Sequence, residues 1–163
     1  MNSFSIRQAA IEDASVILDF VTELAVFEKA EHEVLTSVAA IENTMFSESA
    51  TAKAIIGELD KQPIAMAVYF FNYSTWLGKN GLYLEDLYVS DKHRGIGAGR
   101  KMLRHLARLA LEEDCGRFEW SVLDWNLPAI GLYNAVGAVA REEWISYRLS
   151  GSALENFASE ADG

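Results

Sequence analysis

Residues 81–99 read Gly-Leu-Tyr-Leu-Glu-Asp-Leu-Tyr-Val-Ser-Asp-Lys-His-Arg-Gly-Ile-Gly-Ala-Gly, and this stretch constrains the fold more than any other. It opens as an apolar strand and closes in a glycine loop. Arg100 then starts an amphipathic helix with Leu103, Leu106, Ala107 and Ala110 on one face. A strand, a glycine turn and a helix N-terminus together make an anion site. The first-turn N–H groups lack intrahelical partners, and the helix dipole adds positive potential at the same place. Glycines 95, 97 and 99 remove the side chains that would keep a phosphate away.

Two phosphate motifs are excluded by spacing. The dinucleotide fingerprint needs Gly-x-Gly-x-x-Gly, and a P-loop needs Gly-Lys-Ser/Thr after four free positions. Neither occurs here. The pattern present is Arg-x-x-Gly-x-Gly, at Arg94, Gly97 and Gly99. At these residues the chain resembles the GNAT superfamily of acetyl-CoA-dependent N-acetyltransferases. The resemblance implies that Arg94, Gly95, Ile96, Gly97, Ala98, Gly99 and Arg100 hold the pyrophosphate of coenzyme A. A simple strand-to-helix turn is the plainer alternative.

The rest of the chain is expected to form a single domain over residues 1–163, with the last few residues frayed. No apolar run is long enough to span a bilayer, and no basic head precedes an apolar segment at the N-terminus. Cys115 is the only cysteine, which excludes an internal disulfide and fits a reducing cytoplasm. With 24 acidic against 14 basic residues the formal charge is −10, which disfavours nucleic acid and leans toward a cationic small substrate.

Local patterns predict the order strand, two helices, three strands, helix, strand, helix, strand. The first strand is Phe4 to Gln8, and a helix from Glu12 to about Lys29 places Ala14, Ile17, Leu18, Val21, Leu24 and Ala25 on one stripe. Thr36 and Ser37 cap a second helix ending near Met45. Ala52–Leu59 and Ile64–Phe71 form a hairpin, followed by a polar loop, Asn72 to Asn80, that carries Trp76. Phe118 to Trp125 is a strand, Pro128 to Ala135 a helix closed by Gly137, and Trp144 to Ser150 the final strand. The alternation predicts an α/β sandwich on a mixed sheet. The same order resembles the GNAT fold, which implies a bulged, splayed central strand with helices on both faces.

Glu85-Asp86 interrupts an otherwise apolar strand. Charge protection of an edge strand is one reading. The other is a bulge that splays the sheet and places a base near a substrate amine. At neutral pH only about one alkylamine in a thousand is unprotonated, so acyl transfer to nitrogen needs a proton acceptor; Glu85 can serve directly or through water. Tyr133 reads either as a core tyrosine or as a proton donor to a departing thiolate. The GNAT resemblance makes Tyr133 the general acid and sets Asn126, Leu127 and Pro128 beside the cofactor. On that reading backbone groups of Leu87, Tyr88 and Val89 pair with the pantetheine arm, and the Leu87 N–H meets the developing oxyanion. Lys92 and Lys101 also flank the loop.

Tyr73-Ser74-Thr75-Trp76, Leu82 to Asp86, Leu123 to Asn126 and Glu23 to Lys29 resemble the spermidine/spermine N-acetyltransferase family, most of all its thialysine branch. Polyamine-specific members carry an acid where Ser74 stands and a tyrosine where Phe27 stands, departures that weigh against spermidine. The resemblance implies a homodimer in which the end of the first helix, Phe27 and Glu28, reaches the partner's substrate site. Glu28, Glu85 and Asp86 then form an acidic pocket, with Trp76 offering its face. His32, His93 and His105 are too scattered for a metal site. The expected function is acetyl transfer from acetyl-CoA to a primary amine of a small cation such as thialysine, lysine, a diamine or a polyamine. The alternative is a non-catalytic acyl-CoA or amine-binding module on the same fold.

Overall fold

The computed structural model describes residues 3–160, and contacts divide the chain into two compact units, residues 1–123 and 124–163. The first unit holds a five-stranded sheet in chain order. Its strands are β1 (Phe4–Gln8), β2 (Lys53–Leu59), β3 (Gln62–Ser74), β4 (Lys79–Val89) and β5 (Arg117–Trp120). The first three pairings are antiparallel and β4–β5 is parallel, so the sheet is mixed. The helices of this unit are α1 (Ala14–Phe27), α2 (Val38–Met45) and α3 (Ala98–Glu112). Among the described residues no helix is long and apolar enough to cross a membrane.

Period-2 alternation splits β2 and β3 between two cores. Ile56, Met66 and Val68 pack with Ile17 and Phe20 of α1 and Ile41 of α2. The neighbouring Gly57 faces the other way. A Cβ there would lie 3.0 Å from Met102 Sδ of α3 and 2.9 Å from Phe4 Cζ, so α3 covers the opposite face and needs glycine below it. Helices therefore flank both faces, as expected.

The β2–β3 turn is tighter than the four-residue spacer in the sequence suggests. Asp60 (φ 50°) and Lys61 (φ 68°) form a two-residue loop with both residues left-handed, the geometry that matches strand twist. Ser37 caps α2 by accepting the Ala40 N–H at 3.2 Å. Asp13 does more than complement a helix dipole: buried at the start of α1, it accepts two bonds from Arg7 (2.7 and 2.9 Å) and one from the Ala10 N–H (2.8 Å). Those donors hold its carboxyl below the usual range, against the opposing effect of burial.

Two expectations are corrected. The loop expected over Asn72 to Asn80 shrinks to a turn at residues 75–78: the ladder continues through Asn72↔Gly81, Tyr73↔Asn80 and Ser74↔Lys79, because backbone pairing is indifferent to the polar side chains there. Trp144 to Ser150 is no strand: Trp144, Ile145, Tyr147 and Leu149 stand exposed, and among the described residues no strand forms a ladder with them. Apolar alternation cannot make a strand without a ladder partner. In the second unit these residues lead into a helix absent from the sequence reading, α5 (Gly151–Ala158), preceded by α4 (Leu127–Ala135). The tail expected to fray at 161–163 lies outside the described residues.

Candidate functional site

The β3–β4 register jumps where the adjacent carboxylates stand. Val68 pairs with Asp86 and Tyr69 with Leu84, leaving Glu85 as the extra residue of a β-bulge. On the other side β5 pairs only with Gly81 to Leu84 and departs before the bulge. Among the described strands none pairs with Leu87, Tyr88 or Val89 on that side, so the sheet splays open where the backbone-pairing reading requires it.

β4 runs through the Asp91–His93 turn into the glycine loop. Gly95 (φ 84°) and Gly97 (φ 78°) are left-handed, and a Cβ at either would meet nothing within 4 Å. Gly97 is the N-cap of α3 and supplies no side-chain cap. The first-turn N–H groups of Ala98, Gly99 and Arg100 therefore face an open cradle that suits an anion. Ile96 beside it is exposed, as is Arg100.

Arg94 is more engaged than its place in the motif suggests. Its Nη2 lies 2.8 Å from Asp91, and its Nε donates to the Val89 carbonyl at 3.3 Å. Its Cζ stands 4.8 Å from the Phe27 ring centroid and 5.8 Å from that of Tyr88. Lys101, also a loop-flanking cation, instead places its Nζ 5.1 Å from the ring of Phe4.

At the other end of the bulge, α1 and the segment after it enclose an open cavity of about 410 Å³. Val21, Leu24, Ala25, Val34 and Leu35 give it an apolar wall, and Glu28, Glu33 and Asp86 bring three carboxylates to it. Among the described residues no basic side chain lines it. Burial pushes Asp86 up to about 6, and the negative charges of Glu85 and Glu28 push in the same direction. Glu28 is raised as well, by burial. A carboxylate held this way favours either a proton or a cationic ligand.

The structure sets Glu28 and Asp86 on one cavity wall within one protomer, with Glu85, next to Asp86, exposed at the bulge and outside the lining. It does not bring Trp76 to them. Trp76 is 86% exposed at the β3–β4 hairpin tip, about 20 Å along β4 from Asp86 at strand rise. Ser74 is buried and accepts the Leu77 N–H at 3.3 Å, so it shapes that tip. Glu33 is missed by sequence reading. Its one signal is the density of acids from Glu28 to Glu33, and its place on the cavity wall depends on how the chain turns after Lys29 (φ 59°) closes α1. No group of three or more His, Cys, Asp or Glu among the described residues is arranged to hold a metal ion.

In the second unit, Asn126 caps α4 by accepting the Ala129 N–H at 3.4 Å, and Pro128 sits in the first turn, where a missing N–H costs nothing. Gly137 (φ 88°) closes the helix. Leu127 is exposed and Tyr133 half-buried on this helix.

The profile described as the acetyltransferase (GNAT) family matches residues 18–138. The thialysine N-epsilon-acetyltransferase of Mus musculus is 37% identical over 97% of this chain and 99% of that protein. The Caenorhabditis elegans protein of the same name is 33% identical over 98% of this chain and 100% of its own length. Among solved structures, an integron cassette protein from V. cholerae superposes with a TM-score of 0.83 at 24% identity, covering 97% of this chain and 99% of that one. At that identity the superposition speaks for the fold alone.

Proposed function

The chain belongs to the acetyltransferase (GNAT) family and is an N-acetyltransferase that takes its acetyl group from acetyl-CoA; from that premise we propose that its acceptor is the primary amine of a small alkylammonium compound, held in the cavity of Glu28, Glu33 and Asp86. The observation that carries this reading is the coincidence of an apolar wall, three carboxylates and the bulge at Glu85. A cationic head with a short methylene stem matches both surfaces. Thialysine, lysine and short diamines are such compounds, and the names of the relatives above favour the first of them.

The residues of the glycine loop fit the cosubstrate. Open space above Gly95 and Gly97, a bare helix N-terminus and Arg94 and Arg100 at its edge suit a pyrophosphate. Acetyl-CoA supplies the thioester carbonyl and a thiolate leaving group. The chain's part is positioning and proton transfer. Glu85, exposed at the bulge, accepts the proton that the ammonium must shed before nitrogen bonds to the acetyl carbon. The Leu87 N–H donates to the carbonyl oxygen as charge develops there. Tyr133 donates its phenolic proton to sulfur as the carbon–sulfur bond breaks, with Asn126, Leu127 and Pro128 bordering the cosubstrate. The family resemblance further suggests a homodimer. The lone thiol of Cys115 is compatible with work in a reducing cytoplasm.

The titration of Asp86 tests the cavity. Below about pH 6 its carboxyl is neutral and attracts the ammonium weakly; above that it is charged. The KM for amine should therefore fall as pH rises from 5 to 7.5, a range in which the amine stays protonated. Asp86→Asn should flatten that dependence and raise the amine KM about tenfold at pH 7.5, equivalent to about 1.4 kcal/mol. The KM for acetyl-CoA should hold. Because the fold disfavours the charged form, the variant should also be more stable than wild type above pH 6 and equal to it well below pH 4. An unchanged amine KM removes Asp86 from the site.

A further inference from the structure

Phe27 ends α1, immediately before Glu28 of the cavity wall, but it does not itself line the cavity. Its ring instead lies 4.8 Å from the guanidinium carbon of Arg94. Arg94 is exposed, but its guanidinium is held from several directions. Tyr88, 5.8 Å away, is 4% exposed, packs against Phe20 at 5.9 Å, and has the Glu23 carboxylate of α1 close to its hydroxyl. Asp91 and the Val89 carbonyl take two of the guanidinium's N–H directions. Phe27 is fixed by the tight close of α1, where the Glu28 N–H donates to Leu24 and the Ala30 N–H to Ala25.

We propose that Phe27 is a positioning residue for the cosubstrate: it holds Arg94 against the mouth of the glycine loop, ready for the phosphates. The inference rests on the reading of Arg94 to Gly99 as the acetyl-CoA loop. A free arginine loses much rotamer freedom when it engages a phosphate, whereas one already stacked on an aromatic face has lost most of it beforehand. The remaining guanidinium N–H groups stay available. Adjacent residues at the end of α1 then serve different ligands, Phe27 the cosubstrate through Arg94 and Glu28 the amine. A displacement of this short segment would alter both affinities, and the coupling between them would be reciprocal.

Titration calorimetry with coenzyme A, a probe independent of turnover, tests the inference. Phe27→Leu, which keeps an apolar side chain but no ring face, should weaken coenzyme A binding by about three- to tenfold. Phe27→Tyr should bind as wild type does, and the amine KM of Phe27→Leu at saturating acetyl-CoA should stay within about twofold. Arg94→Ala should weaken coenzyme A at least as much, and adding Phe27→Leu to it should cost nothing further. Melting temperatures confirm that each variant is folded. Undiminished coenzyme A affinity in Phe27→Leu, with Arg94→Ala impaired, overturns the inference alone; so does an additive double variant or a raised amine KM. If Arg94→Ala itself binds coenzyme A normally, the assignment of Arg94 to the loop fails, and the inference with it.

Discussion

Tyr133→Phe is expected to lower kcat by about 10²- to 10³-fold while leaving coenzyme A affinity within about twofold of wild type. The substitution deletes one hydroxyl and keeps the ring, so α4 should survive it. That helix is set by the Asn126 cap, by Pro128 in its first turn and by Gly137 beyond its end, none of which involves the phenol. Aminolysis of a thioester expels sulfur, and a phenolic hydroxyl can donate its proton as the bond breaks. Steady-state kinetics and calorimetry with coenzyme A on the same preparation separate the two quantities. A kcat equal to wild type would assign the proton on sulfur to another donor.

The second large effect is expected at the glycine loop. Gly97→Val combines two insults. A β-branched residue at φ 78° is strongly disfavoured, and its side chain would project into space now open above the N-terminus of α3. Coenzyme A affinity should fall by about thirtyfold or more, with a drop of several degrees in melting temperature. Backbone strain and loss of the cradle can be separated with Gly78, which is also left-handed (φ 63°) and also unobstructed, but sits at the β3–β4 hairpin tip. Gly78→Val should lower the melting temperature similarly and leave coenzyme A binding untouched. Equal losses of affinity in both variants would mean that the glycine loop acts through stability and not through contact with phosphate.

The parts of the fold most legible in the sequence were those fixed by local chemistry. The glycine loop could be read because left-handed residues and a bare helix start leave few alternatives at Gly95 and Gly97. The bulge could be read because Glu85 and Asp86 cannot both follow strand alternation in an apolar run. Ser37 announced α2 as a cap, and Pro128 with Gly137 bounded α4. Features that depend on which element comes to lie beside which were not legible. Trp144 to Ser150 alternates like a strand but finds no ladder among the described residues. Residues 72–80 look like a polar loop but zip into a hairpin on backbone bonds. Glu33 shares a cavity with Asp86, and Phe27 meets Arg94, only because α1 closes near Lys29 and brings its end to β4. No periodicity within α1 encodes those meetings.

The measurement that tests the account most directly is steady-state release of free coenzyme A thiol from acetyl-CoA with a panel of amines. The panel holds thialysine, lysine, putrescine, spermidine and spermine, with hexylamine as a monoamine of similar reach and a no-amine control to subtract the Cys115 thiol. The account predicts amine-dependent release, with kcat/KM for thialysine, lysine or putrescine at least about tenfold above hexylamine, because these, unlike the monoamine, bring a second ammonium to Glu28, Glu33 and Asp86. Hexylamine equal to the best of the panel would contradict the carboxylate cavity as the amine site. Release no faster than the no-amine control with every compound would contradict the substrate class itself.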